Sequence, residues 1–390
     1  MNHNLMDNNI TQDDNTKVIN FLKKNPRLTN GRQVELFEKK WSKWLGVKYS
    51  IFVNSGSAAN LASMTYLKTK FKDGEIIVPT ITWVSDILSV YFNNFKPVFV
   101  DIKKNNLALD EKFIEKAINK KTRAIFLTHV LGLNGLTKKI LDLVKKNNIY
   151  LIEDVCESHG ATFNNKKLGT YGHISNFSFY YAHHMSTIEG GMICTNDRKI
   201  YEVIRTIRGH GLIRESKDKK YKKKIINKNK KLNKDFLFVN PGFNLRSTEI
   251  NAVYGLNQIK RLDKNNKKRT NNFLYFLNKL DKKKYYTNFD TTGSCNYAFI
   301  IVFNKKYQNL IFRKKFENKL SKYNIEFRRG LSGGGNQTMQ PYKNYFKIKS
   351  KIIGNLYETN AIHNYSYYIG NYPSLSFSKI DKIINILNSI

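Results

Sequence analysis

The amino-acid sequence predicts an α/β protein, with a large domain over residues 1–262 built on a mostly parallel sheet and a smaller α+β domain over residues 263–390. Short apolar runs alternate with helix-like segments through the first two thirds of the chain. This alternation is typical of parallel sheets that helices cover on both faces. It ends near residue 262, and the 390 residues suffice for one large core with a smaller companion.

The individual elements follow from local apolar patterns. Apolar runs bounded by polar or turn-forming residues predict five buried strands in the large domain, at 49–55, 75–79, 96–102, 123–130 and 149–155. Amphipathic segments between them predict helices at 58–71, 111–121 and 138–148. In the smaller domain the pattern predicts a helix, a strand and a helix, at 265–280, 297–303 and 310–323.

The charge balance is strongly basic, with 67 Lys and Arg against 30 Asp and Glu and a net charge of +37. Such a balance can indicate nucleic-acid binding. Here the lysines are spread along the whole chain, so we expect solvated surfaces and no nucleic-acid partner. The densest run, residues 217–234, is predicted to be an exposed loop. A positive field would still attract an anionic substrate such as a nucleotide sugar.

The sequence contains no apolar run near the roughly 20 residues needed to span a bilayer, and its polar N-terminus lacks the apolar segment of a signal peptide. We therefore expect a cytoplasmic protein with no membrane partner. The three cysteines, Cys156, Cys194 and Cys295, form no CxxC pair. This spacing argues against a zinc site or a disulfide framework, and no metal is expected.

A Gly/Ser turn, NSGSAAN at residues 54–60, joins a predicted strand to a predicted helix. Backbone amides and the macrodipole at a helix N-terminus can bind a phosphate. Many strand-to-helix turns use Gly and Ser only as caps, so this motif alone leaves both functions open.

Two further motifs lie at predicted strand ends, where ligands bind in open α/β sheets. In residues 150–161, YLIEDVCESHGA, an apolar strand ends in carboxylates. One of them could pair with a protonated pyridine nitrogen, or it could cap the strand end. In residues 82–86, TWVSD, Trp83 could stack on an aromatic ring or fill the core, and taken alone the core is favoured.

Two later segments complete a pattern, NFSFYYAHHMSTIEGGM at 176–192 and NPGFNLRSTEINA at 240–252. Together the motifs resemble the DegT family of pyridoxal-phosphate-dependent sugar aminotransferases over nearly the whole chain. The resemblance implies a type I aminotransferase fold, pyridoxal 5'-phosphate or pyridoxamine 5'-phosphate as cofactor, and a homodimer with shared active sites. It assigns cofactor contacts by position: the phosphate to Gly56, Ser57, Ala58 and Ser178, ring stacking to Trp83, the pyridine nitrogen to Asp154, the 3-hydroxyl to Glu157, and the neighbouring subunit's cofactor phosphate to Asn244.

The sequence departs from the usual family pattern at one position, because His183 stands where most members carry the cofactor-binding lysine. Imidazole has no primary amine and cannot form a Schiff base, but it can accept and donate protons near neutral pH. We therefore expect a noncovalently held cofactor and His183 as the catalytic residue. Lys166 and Lys167 are predicted to lie in a solvated loop, and His184 is expected to be structural.

The exchange of Lys for His, followed by a second His and EGG, resembles the sugar 3-dehydratase branch of the family. The type without an iron–sulfur cluster fits better, because residues 209–240 contain no cysteine. The resemblance implies loss of the C3 hydroxyl from a nucleotide-linked 4-keto-6-deoxy sugar, GDP-4-keto-6-deoxymannose above others, with glutamate as amino donor. Substrate contacts are implied for His210 and Arg214 in residues 207–215 and for Arg328 in a loop at 325–336.

Two other functions stay open at the level of the sequence. One is an atypical aminotransferase, which would leave an amine on the sugar. The other is a non-catalytic protein that binds nucleotide sugars or nucleic acid. The resemblance places the enzyme in deoxysugar and lipopolysaccharide O-antigen biosynthesis.

Overall fold

The computed structural model describes residues 2–331 and 334–390. Its helices are α1 Gln12–Leu22, α2 Arg32–Leu45, α3 Gly56–Lys70, α4 Val84–Phe92, α5 Glu111–Ala117, α6 Lys138–Asn147, α7 Arg198–Arg208, α8 Lys219–Lys228, α9 Glu249–Gln258, α10 Leu262–Lys279, α11 Leu310–Lys322, α12 Tyr357–Tyr365 and α13 Phe377–Asn388. Its strands are β1 Tyr49–Val53, β2 Glu75–Pro79, β3 Lys96–Val100, β4 Thr122–Thr128, β5 Tyr150–Asp154, β6 Thr162–Phe163, β7 Lys166–Lys167, β8 Ile174–Ser178, β9 Gly191–Thr195, β10 Ala298–Val302, β11 Phe327–Arg329, β12 Lys351–Ile353 and β13 Ser366–Gly370.

A large sheet with strand order β1-β9-β8-β5-β4-β2-β3-β12 organises the described part of the chain. Within it, β9 is antiparallel to both of its neighbours, whereas the other neighbouring pairs are parallel. The predicted mostly parallel sheet is therefore confirmed. The five predicted strands correspond to β1 to β5, with ends that differ by at most two residues.

Helices cover both faces of this sheet. Side chains along each strand alternate between the two faces, so neighbouring residues of one strand pack against different helices. In β2, Ile76 and Val78 belong to the core that contains residues of α3, α4 and α7. Their neighbour Ile77 belongs to a second core, with residues of α2, α5, α6 and α9. Apolar side chains on both faces explain why the sequence shows continuous apolar runs rather than alternation.

The chain after residue 262 builds a second, three-stranded antiparallel sheet with order β10-β13-β11. The same part of the chain also returns to the large sheet, where β12 lies parallel to β3 at the edge. The N-terminal segment contacts the part of the chain after residue 262, because His3 forms a β-bridge with Ile325. Among the described residues, no helix combines the length and apolar character needed to cross a bilayer.

The prediction of an exposed loop at residues 217–234 is partly wrong, because α8 lies within this range. Asp218 caps this helix by accepting a hydrogen bond from the Tyr221 amide at 2.9 Å. None of its residues is buried, so the expected exposure holds. An N-cap and the good helix propensity of lysine outweigh the absence of an apolar face here.

A buried ion pair connects two helices that flank β1. The Arg208 guanidinium donates to Glu38 Oε1 at 2.7 Å and to the Phe52 carbonyl at 3.0 Å. Glu38 Oε1 also accepts from the Phe52 amide at 2.9 Å. The Glu38 and Arg208 side chains are almost fully buried, and the Arg205 guanidinium lies 3.9 Å from Glu38 Oε2. Glu38 is therefore the nearest carboxylate that compensates the buried Arg208 charge.

Replacing Glu38 by alanine should lower the free energy of unfolding by roughly 3–5 kcal/mol, because it leaves the Arg208 charge buried without a partner. Urea unfolding followed by circular dichroism measures this loss. The matched control is Asp142→Ala, which removes the exposed Lys138–Asp142 pair and should cost less than about 1 kcal/mol. Equal losses in the two variants would contradict the assignment.

Candidate active site

A cavity of about 530 Å³ opens where the carboxyl ends of β1, β4, β5 and β8 meet the second sheet. Parallel strands bring their carboxyl ends to one edge, so motifs far apart in sequence converge there. Eight of the predicted site residues line this cavity, namely Gly56, Ser57, Trp83, Asp154, Glu157, Ser178, His183 and Arg328.

The turn after β1 presents the N-terminus of α3 to the cavity. Ser55 is the N-cap and accepts a hydrogen bond from the Ala58 amide at 3.0 Å, so Ala58 serves the cap and is absent from the lining. Gly56 lies against Ser178, and a Cβ on Gly56 would stand 2.7 Å from Ser178 Cβ. Glycine is therefore required for this close approach, which fits a phosphate bound by amides at a helix N-terminus.

Asp154 is the last residue of β5 and is almost fully buried. Its Oδ1 accepts from the Cys156 amide at 2.8 Å, and its Oδ2 accepts from Asn60 Nδ2 at 3.1 Å. These neutral donors orient the carboxylate at the cavity wall without cancelling its charge. A carboxylate held in this way fits the protonated nitrogen of a pyridine ring.

Trp83 is half-exposed at 49% and lines the cavity. The core position favoured for this residue in isolation is therefore wrong. It lies just before α4, at the N-cap position, and its indole faces the open space. An aromatic face at this position fits stacking against a planar ring.

His183 lies on the opposite part of the lining, after β8. Its amide donates to the Tyr180 carbonyl at 3.0 Å, and its carbonyl accepts from Asn9 Nδ2 at 3.1 Å, so the backbone is held from both sides. Its Nδ1 has no hydrogen-bond partner among the described residues. Burial lowers the pKa of His183 to about 4, against the opposing field of Asp154. The imidazole is therefore neutral at neutral pH and able to accept a proton.

The other lysine and histidine candidates lie outside the lining. The Lys167 ammonium donates to the Trp44 carbonyl at 2.9 Å from the short hairpin of β6 and β7, so the expected loop at Lys166 and Lys167 is in fact a β-hairpin. His184 is buried, with Nε2 2.9 Å from the Cys295 carbonyl oxygen. No lysine is found among the described lining residues.

Two charged residues lie on other parts of the wall. Glu157 Oε2 accepts from the Leu131 amide at 2.8 Å, which fixes this carboxylate beside the cavity. Arg328 belongs to β11 and is exposed, so its guanidinium extends from the second sheet towards the cavity. Ser332 and Gly333 of the loop expected to cover the substrate lie outside the described residues.

Besides Ala58, three predicted residues are absent from the cavity lining of their own chain. Asn244 is exposed and pairs through its backbone with Gly209. His210 and Arg214 are also exposed and follow on the same segment. The structure thus places Asn244, His210 and Arg214 together on an outer face.

Sequence reasoning missed several lining residues. Leu5 and Met6 come from the N-terminal segment, and Tyr297 and Tyr368 come from the second sheet. Tyr297 lies 5.7 Å from the His183 ring, measured between centroids. Asn60 was also missed, although a buried asparagine inside the apolar pattern of α3 is a signal that could have revealed it.

The arrangement as a whole fits pyridoxal phosphate. A helix N-terminus with a glycine contact suits the phosphate, an exposed indole suits the ring, and a buried carboxylate suits the pyridine nitrogen. Among residues 2–331 and 334–390, no cluster of His, Cys, Asp or Glu is suited to a metal ion.

Comparison with known proteins agrees with this geometry. The model of the DegT/DnrJ/EryC1/StrS aminotransferase family matches residues 8–388. The chain is 32% identical over 379 residues to the GDP-4-keto-6-deoxy-D-mannose 3-dehydratase of Escherichia coli O55:H7, covering 95% of this chain and 96% of the relative. It is 28% identical to the lipopolysaccharide biosynthesis protein RfbH of Salmonella typhimurium, covering 92% and 85% of the two chains.

A solved structure shows the same fold over the full length. The crystal structure of GDP-4-keto-6-deoxymannose-3-dehydratase with a trapped PLP-glutamate geminal diamine superposes with a TM-score of 0.89. It is 29% identical and covers 99% of this chain and 100% of its own. The predicted aminotransferase fold and the predicted resemblance are thereby confirmed. This chain belongs to the DegT/DnrJ/EryC1/StrS aminotransferase family.

Proposed function

We propose that this protein removes the C3 hydroxyl of a nucleotide-linked 4-keto-6-deoxy sugar with pyridoxal or pyridoxamine phosphate as cofactor. The observation that carries the proposal is a neutral histidine, His183, in a cavity whose described lining contains no lysine. GDP-4-keto-6-deoxymannose is the proposed substrate, because a relative and a solved structure that match nearly the whole chain are named for it. A role in lipopolysaccharide sugar biosynthesis and a cytoplasmic location belong to the same proposal.

The proposed roles of the residues follow from their positions. The amides at Gly56 and Ser57 hold the phosphate with Ser178, Trp83 stacks on the ring, and Asp154 accepts a hydrogen bond from the ring nitrogen. When bound, the pyridoxamine form supplies an amine for the C4 ketone and an electron sink.

His183 performs the proton transfers in this proposal. Its neutral imidazole takes a proton from the C4′ carbon of the cofactor and gives it to the C3 hydroxyl as that group leaves. The product is a 4-keto-3,6-dideoxy sugar, with ammonia released by hydrolysis. Glutamate then restores the amine of the cofactor.

The active enzyme is proposed to be a homodimer. Asn244, His210 and Arg214 are absent from their own cavity, and they share a segment with exposed aromatic side chains at Phe238 and Phe243. Large exposed apolar side chains in a cluster indicate a protein interface. Docking of a second copy on this face would bury them and bring Asn244 towards that copy's cavity.

The product distinguishes this function from an aminotransferase. Purified protein with pyridoxal phosphate, glutamate and GDP-4-keto-6-deoxymannose should yield a sugar that has lost its C3 oxygen and kept its C4 ketone, as detected by mass spectrometry. His183→Asn should lower turnover roughly 10²–10⁴-fold, because proton transfer is lost. His173→Asn, at an exposed histidine outside the cavity, serves as control. A product carrying nitrogen would assign the chain to the aminotransferases instead.

The low pKa of His183 predicts that kcat/KM is lost only at unusually low pH. Because burial lowers this pKa to about 4, the base stays neutral well below the ordinary histidine value of about 6.5. We therefore expect kcat/KM to stay level from pH 8 down to about pH 6. A rate profile in overlapping buffers, with activity recovered on return to pH 7.5, tests this. A limb with its midpoint near 6.5 would contradict it.

Disrupting the aromatic face should separate the two copies. Phe238 is 59% exposed, and Phe238→Glu should give a monomer by analytical ultracentrifugation, because an ionised carboxylate cannot be buried without cost. Its activity should fall with dimer content. Ile311→Glu is the matched control, since Ile311 is 84% exposed on α11 and its variant should stay dimeric. A dimeric, fully active Phe238→Glu protein would refute the proposed face.

A further inference from the structure

A second buried carboxyl group, that of Asp86, shares the Asn60 amide with Asp154. Asp86 lies in the first turn of α4 and is completely buried. It is absent from the cavity lining, whereas its neighbours Asn60, Ser85 and Thr128 contribute to it. Asp86 therefore touches the cofactor site only through other residues.

The hydrogen bonds of Asp86 join it to Asp154. Asn60 Nδ2 lies 2.7 Å from Asp86 Oδ1 and 3.1 Å from Asp154 Oδ2, so one amide contacts both carboxyl groups. Asp86 Oδ2 accepts from the hydroxyls of Thr82 and Thr128, the latter at 2.7 Å. All of these donors are neutral, so none of them compensates a second buried charge.

Two carboxylates in such a site cannot both be ionised at low cost, and one of them retains a proton. Burial, reinforced by the field of Asp154, raises the pKa of Asp86 well above its ordinary value. The Asn60 amide lies within hydrogen-bond distance of both carboxyl groups, which holds them near each other. The proton of the pair therefore resides on Asp86.

We propose that Asp86 is a positioning residue whose carboxyl group donates a hydrogen bond to Asp154 and holds that carboxylate towards the ring nitrogen of the cofactor. This inference rests on the proposed function for its consequence in catalysis. A neutral donor favours the ionised form of its acceptor and adds no charge beside the ring. Thr82 and Thr128 fix the Asp86 carboxyl group from the other side.

The other titratable groups near Asp86 do not replace this donor. Cys156, two residues after β5, and Tyr342 both feel the field of Asp86. Burial raises the pKa of the Cys156 thiol well above its usual value, so it stays neutral. Burial also raises the pKa of Tyr342, so neither group adds a charge beside the two carboxyl groups.

The first experiment needs neither cofactor nor substrate. Because the folded-state pKa of Asp86 is raised, the unfolded chain loses this proton at lower pH than the folded protein does. Stability should therefore fall as pH rises from the ordinary aspartate range towards the raised value. Asp86→Asn cannot ionise, so its thermal midpoint should fall less between pH 5 and pH 8 than that of the wild type. Asp142→Asn, at an exposed aspartate, should keep the wild-type slope.

The second experiment uses the protein with bound cofactor and compares Asp86→Asn with Asp86→Leu. The asparagine amide can still donate to Asp154, while Asn60 keeps Ser85 and Asp154 as acceptors. We expect Asp86→Asn to retain dehydration within about threefold, and Asp86→Leu to lose roughly 10–100-fold, as loss of an outer partner does at metal sites. The absorbance of bound pyridoxal phosphate should change as the pH rises through the raised pKa of Asp86 in the wild type, and not in Asp86→Asn.

Two results would overturn the inference. One is equal pH slopes of stability for the wild type and Asp86→Asn. The other is an Asp86→Asn enzyme as impaired as Asp86→Leu while both remain folded. Failure of the proposed function looks different, because the wild type would then not turn over the keto sugar while the stability slopes and the cofactor spectrum still report on the carboxyl pair.

Discussion

The side chain of Asn60 is the contact on which the geometry of the site depends. Its two N–H groups serve three acceptors, Ser85 Oγ, Asp86 Oδ1 and Asp154 Oδ2. Its carbonyl oxygen accepts from Asn176 Nδ2 at 2.9 Å. One residue of α3 is thus joined to α4, β5 and β8. Because these groups are buried, each would cost free energy if left without a partner, and the elements are held in one relative position.

The fixed positions of these elements also keep the proposed ring-nitrogen contact and the proposed proton acceptor on separate walls of the cavity. Asp154, the carboxylate proposed to contact the ring nitrogen, is held by neutral donors. His183, the proposed proton acceptor, lies on the far wall and is kept neutral by burial, which lowers its pKa to about 4. A lysine at that position would bind the cofactor covalently and favour completed transamination. An imidazole transfers protons without forming that bond. In the proposed function, the exchange of a single side chain at position 183 changes the reaction outcome while the other cofactor-binding residues are retained.

Much of this organisation could be predicted from the sequence, because β1 to β5 are continuous apolar runs and the motifs lie at their ends. The edge strand β12 could not, since it is short, begins with Lys351 and depends on its partner β3. The contribution of Leu5 and Met6 to the cavity lining could not be predicted either. Contacts between residues more than 300 positions apart leave no local sequence pattern. Asp86 belongs to the TWVSD motif at residues 82–86, of which only Trp83 was predicted to be functional. A carboxylate in an apolar helix is informative only when its buried surroundings are known.

The charges of the cavity bear on the proposed dimer. Its described lining carries the carboxylates Asp154, Glu157 and Glu189 against a single guanidinium, Arg328. The helix N-terminus at Gly56 can hold the cofactor phosphate, but a nucleoside diphosphate brings further negative charge into the same volume. The net charge of +37 does not help here, since it resides mainly on lysines outside the lining. The exposed face with His210, Arg214 and Asn244 offers the Arg214 guanidinium and further hydrogen-bond donors. Electrostatic complementarity therefore supports the proposed dimer, in which each copy would complete the site of the other.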